Sequence, residues 1–147
     1  MADITTSGIF STAWMRIYTT VNTVTDPDGK SKWIYSAFPI KLIDNESAYP
    51  LVVINPVDTS LDPLTFTDLK EGPMDVSIEV YTTSAKEIDS ISDDIVKAMQ
   101  TKETDMLTSG IHTMRLAGTS YNHFMRNKSR IHNKVLRYQF DYTWRDF

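Results

Sequence analysis

The stretch from Gly72 to Gln100, GPMDVSIEVYTTSAKEIDSISDDIVKAMQ, constrains the fold more than any other part of the chain. Met74, Val76, Ile78 and Val80 alternate with Asp75, Ser77, Glu79 and Tyr81, the period of a strand with one buried face. Ser84 is placed to accept a hydrogen bond from a free amide at a helix start, and Glu87 is placed to answer the Ser84 amide in a capping box. Ile88, Ile91, Ile95, Ala98 and Met99 then recur at helical spacing as one stripe, with Asp89, Asp93, Asp94 and Lys97 on the wet face. A strand joined by a short hinge to a helix with an apolar stripe is half of a layered α+β domain. Neither half carries chemistry.

The rest of the chain fits around that unit. Phe10, Ala13, Trp14, Ile17 and Val21 predict a helix from about Ser7 to Val21, capped by Ser7 or Thr6. Thr19, Thr20, Val21, Thr23 and Val24 are β-branched, so the helix is expected to give way to strand near Tyr18 to Asn22, with residues 17–25 open between the two. Asp26-Pro27-Asp28-Gly29 is a turn, and its flanks Val21–Thr25 and Lys32–Ser36 predict a hairpin. Leu51–Ile54, apolar on both sides and bounded by Pro50 and Pro56, reads as an interior strand. Val57–Pro73 is expected as a long loop, Thr101–Gly110 as a polar linker, Ile111–Leu116 as a short strand and Gly118–Ser129 as a second loop. Val135–Arg145 is the clearest long strand, with Leu136, Tyr138, Phe140, Tyr142 and Trp144 on one face. The expected fold is a single α+β domain over residues 1–147. It has a mostly antiparallel or mixed β-sheet, about two helices packed on one face, and a β-hairpin insert.

Few kinds of chemistry are compatible with the residues present. Cysteine is absent, which excludes disulfides, thiolate metal sites and a cysteine nucleophile. No glycine-rich phosphate loop, H-E-x-x-H pair, nucleophile elbow or zinc spacing occurs, so no enzyme and no cofactor is indicated. His112, His123 and His132 are too widely spaced for a local ligand pair, and Asp26, Asp28 and Gly29 lack the later acids of a calcium loop. The N-terminal residues 1–14 have no basic region or long apolar run, so neither a secretion signal nor a membrane span is expected.

Charge is distributed unevenly. Residues 1–105 carry 17 acids against 8 Lys and Arg, whereas residues 106–140 carry 6 Lys and Arg and no acid. Such asymmetry marks contact with an acidic partner, whether nucleic acid, another protein, or the acidic edge of the next copy in a self-assembly. Arg115, Arg126, Lys128, Arg130, Lys134 and Arg137 lie among Tyr121, His123, Phe124 and Tyr138, a mixture that can track phosphates and stack on bases. Against nucleic acid stands the overall pI of about 5.3. A solvated or subunit-contacting face fits the balance better.

The element order resembles that of the tail terminator proteins of long-tailed bacteriophages, the lambda-like tail completion proteins. The resemblance rests on an N-terminal helix, YPLVVI (49–54), MDVSIEVY (74–81), the Ser-capped helix with ISDDIVKAM (91–99) and VLRYQFDYTW (135–144). It implies a structural virion protein of the tail or neck, assembled in the host cytoplasm, that caps the tail tube as a hexameric ring, stops its polymerisation and offers a docking surface to the head. The implied partners are further copies of the chain, the tail tube protein and a head connector or head completion protein. DNA would pass through without specific binding, and no membrane is involved. Trp33, Tyr35 and Phe124 are candidate exposed aromatics, and the six cations candidate subunit contacts. Two alternatives remain: another head-to-tail joining or minor capsid ring protein, and a nucleic-acid-binding module using the basic 111–137 segment.

Overall fold

The computed structural model describes residues 9–30, 32–37, 39, 48–58, 71–108, 110–126 and 128–143. Helix α1 (Ile9–Val21) is followed by strands β1 (Ile34–Tyr35), β2 (Leu51–Ile54) and β3 (Glu71–Thr82). Helices α2 (Ala85–Thr101) and α3 (Glu103–Thr108) then lead to strands β4 (Ile111–Arg126) and β5 (Ser129–Thr143). The strands form one sheet ordered β1-β2-β3-β5-β4, with β1 parallel to β2 and every other neighbouring pair antiparallel. The fold is α+β, a mixed sheet with its long helices on one face.

Alternation along β3 and β5 builds that architecture. Met74, Val76, Ile78 and Val80 from β3 and Leu136, Tyr138 and Phe140 from β5 are buried on one face. Ala13, Ile17 and Val21 from α1 and Ile88, Ile91, Ile95 and Met99 from α2 pack onto them as one core. Trp14 fixes α1 over β2 by donating from Nε1 to the Ile54 carbonyl at 3.0 Å. The start of α2 departs in detail from the expected box. Ser84 Oγ accepts from the Glu87 amide at 3.3 Å, but the Ser84 amide donates to Thr82 Oγ1 at 3.2 Å. The Thr82 hydroxyl in turn donates to the Glu87 carboxylate at 3.2 Å, so Thr82 relays the reciprocal link.

Several expectations are corrected. Residues through Val21 are helical, because α1 buries its stripe, and helical packing overrides the β-branched propensity. The Asp26–Gly29 turn forms, with Gly29 at φ 73° and its amide bonded to the Asp26 carbonyl at 2.9 Å. It does not join a hairpin: the residues before it belong to the end of α1, and β1 pairs in parallel with β2. The Asp26 carboxylate is occupied by the amides of Asp28 and Lys30 and by Lys30 Nζ, each at 2.9 Å, so it terminates the turn rather than awaiting calcium. The expected linker 101–110 contains α3, whose Met106 is buried against the core. The expected loops give way in part to strand: β3 begins at Glu71, Asp58 bridges to Asp75, and β4 runs on through Arg126. Residues 59–70, Trp144 and Arg145 lie outside the described residues, as do the candidate caps Thr6 and Ser7.

Two outcomes follow from the core. Ile78 is fully buried between β2 and β5, and Ile78→Ala should lower the free energy of unfolding by about 2–5 kcal/mol in urea titrations. Tyr138 is buried with no hydrogen-bond partner for its hydroxyl, and burial pushes its phenol up to about 12. The folded chain therefore holds this proton more tightly than the unfolded chain. The associated stability is complete below about pH 10 and is lost as pH rises towards the folded value. Tyr138→Phe should leave stability at neutral pH unchanged or raised and should weaken the alkaline loss. Thermal melts at about pH 8 and about pH 11 check this, with Tyr81, also raised by burial and by Glu79, supplying the remaining loss.

Candidate subunit-contact site on the basic hairpin

Strands β4 and β5 pair from Ile111↔Tyr142 to Arg126↔Ser129, so the connection between them is two residues long. Lys128 adopts φ 68°, the left-handed conformation that two-residue hairpin turns require. The whole acid-free segment is thereby folded into one long hairpin at one edge of the sheet, and all six candidate cations lie on it. Sequence reading divided this segment between a short strand and a loop. Both faces of Gly118–Arg126 are largely polar, which hides the alternation.

The six cations are distributed over two faces. Arg115, Arg126 and Arg137 lie on the face away from the helices, by their register with Gln139, Ser129 and Gly118. There Arg115 donates to the Gln139 side chain at 2.9 and 3.3 Å, and Arg137 to Ser120 Oγ at 3.4 Å, so both guanidinium groups lean on neutral partners. Arg130 and Lys134 share the helix side with Leu136, and Lys134 Nζ reaches the Asp89 carboxylate of α2 at 3.0 Å. Arg126, Lys128 and Arg130 converge at the turn, all exposed.

The aromatic candidates are placed differently from expectation. Trp33 is not an exposed contact residue: it is buried in the main core at 5% exposure. Tyr35 and Phe124 are half-buried in a second cluster on the far face, packed against Tyr49, Leu51, Val53, Tyr81 and Ile131. Phe124 meets Tyr81 edge to face at 6.4 Å between ring centres, and Lys32 sits 5.0 Å from the Tyr35 ring centre. This cluster is assembled from five separate segments, so no periodicity could have announced it. Its role is mechanical. Beyond the last β3–β5 pair, Thr82↔His132, the final rungs of β5 have only β4 beside them, and Phe124 and Ile131 hold those rungs to the body.

The exposed apolar residues of the hairpin are ones that sequence reading did not single out. Leu116, Tyr121 and Met125 are 41%, 52% and 61% exposed, and with Thr119 and His123 they line the helix side of β4, which no described helix covers. A shallow groove of about 300 Å³ separates this shelf from α2, lined by Val96, Gln100, Leu116, Thr119 and Lys134 among others. Tyr121 hydrogen-bonds through its hydroxyl to His132 Nδ1 and stacks on that ring with centres 5.9 Å apart. His123 lies opposite His132 and His112 lies at the far end of β4, so the three histidines do not converge. Among the described residues no group of three potential metal ligands meets. The carboxylates Asp89, Asp93 and Asp94 stand exposed on α2, and the arrangement suits binding by charge and apolar contact.

If Phe124 anchors the hairpin tip, Phe124→Ala should remove an aromatic pair worth about 0.5–1.5 kcal/mol beyond its lost burial. Amide hydrogen exchange should then accelerate at residues 124–131 more than in α2 or β3. Uniform acceleration across the sheet would show that the tip is not separately anchored.

No protein-family model matches the chain, and no characterised protein matches it.

Proposed function

We propose that the chain is a structural virion protein that closes into a ring on the end of a phage tail tube, terminates tube growth and presents a surface for head attachment. The observation that carries this reading is the hairpin edge, covered by no helix among the described residues, that concentrates six cations, exposed Leu116, Tyr121 and Met125, and no acid before Asp141. A ring of identical subunits joins two different surfaces of each copy, and a chain with a basic edge and an acidic body has two such surfaces ready. The element order, helix, short strands, long strand, capped helix and closing long strands, agrees with the order on which the resemblance to tail terminators rests. No catalytic residue or cofactor is assigned. No described helix is long and apolar enough to cross a membrane.

The test is assembly. The purified chain should sediment and scatter as a ring-sized oligomer whose population rises with concentration, and added rings should halt elongation of tail tubes in vitro. R126A/K128A/R130A should fold with an unchanged melting temperature and shift towards monomer, and added salt should weaken wild-type assembly more than that of the variant. A wild-type chain that stays monomeric at every concentration and leaves tube lengths unchanged would overturn the proposal.

A further inference from the structure

The chain carries an acidic surface complementary to its basic hairpin. Along α2, Asp93 and Asp94 are exposed in mid-helix, and Asp89, the acid one turn before Asp93, is also exposed and already accepts Lys134 of the same hairpin. Asp93 borders the groove beside β4, whereas Asp94 borders the groove between α2 and the end of α1, so the pair straddles the top of the helix layer. The hairpin tip bears Arg126, Lys128 and Arg130, with exposed Met125 opposite Arg130 on the helix side as an apolar contact. Lys134 shows in miniature how a hairpin cation meets an α2 carboxylate, and it lies several rungs from the turn, so the tip cations stand further along the hairpin than that contact.

We infer that the hairpin tip of one copy docks on the α2 carboxylates Asp93 and Asp94 of the next copy, which makes this the head-to-tail contact of the ring. The inference rests on the ring reading above. Charge complementarity favours a second copy over nucleic acid. A duplex lying along the helix side of the hairpin, over Arg130 and Lys134, would bring its phosphates towards Asp89 and Asp93, where like charge repels. A symmetric pairing of two hairpins is disfavoured for the same reason, since it sets cation against cation.

Two charge-reversed variants test the contact: R126E/K128E/R130E on the tip and D93K/D94K on the helix. Lysine is a better helix former than aspartate, so the second exchange does not threaten α2, and circular dichroism melts check that both variants fold. Each variant alone should lose ring formation by roughly tenfold or more in the concentration needed, because like charges then face each other. Mixed in equal amounts they should recover rings, because every tip then finds an opposite helix in an alternating assembly. Wild-type rings together with a mixture that stays monomeric, or with D93K/D94K assembling like wild type, would overturn this contact while leaving the ring reading intact. Absence of wild-type rings would overturn both. Retention of duplex DNA by wild type at low salt, lost in the tip variant with no change in mass, would assign the tip to nucleic acid and overturn the contact.

Discussion

The antiparallel ladder between β3 and β5 places every other element. Its twelve pairs run from Glu71↔Thr143 to Thr82↔His132, and each strand presents one apolar row. A ladder of this length fixes register firmly, because a slip of one residue would turn Met74, Val76, Ile78 and Val80 out of the core and Asp75 and Glu79 into it. With that register set, α1 and α2 have one face to cover. They cover the β2, β3 and β5 rows, while only the start of β4, Ile111 and Met114, joins that core and the rest of β4 forms the sheet edge.

That residue of uncovered sheet is where the functional argument lies. A long edge strand normally invites unwanted pairing and is guarded by charge or by irregularities. Here β4 shifts register at His112/Arg115 and Leu116/Gly118, and Thr113 takes φ 54°, but from Thr119 to Arg126 the strand is regular. Its inner rungs are stiffened by the Tyr121–His132 stack and by Phe124 in the second cluster. A charged, partly apolar edge that no described helix covers has the physical character of an interaction surface, and the acidic body supplies a complementary one on each copy.

Legibility in the sequence followed the strength of amphipathic patterning. α2 was readable to within a residue or two and β3 to within about three because MDVSIEV and the stripe Ile88, Ile91, Ile95, Met99 each bury one clean face. The residues of β4 beyond Gly118 were not, since a strand exposed on both faces shows no apolar alternation and GTSYNHFMRNKS is rich in turn formers. The false hairpin at Asp26–Gly29 arose because a genuine turn signal does not reveal what it joins, and burial of Val21 against the core decided for helix. The cations of the candidate site were visible as a charge run, but their gathering on one edge depends on β4–β5 pairing. Burial of Trp33 depends on β1 docking beside β2, a contact of high sequence separation that no local pattern encodes.

The measurement that bears most directly on the account is amide hydrogen exchange of residues 119–131, compared between dilute monomer and concentrated, assembled protein. If the uncovered hairpin edge builds the ring, its outward-facing amides and those at the turn should become selectively protected on assembly, with little change in the core amides of β3. Assembly that leaves exchange across the hairpin unchanged, while another surface gains protection, would contradict the account.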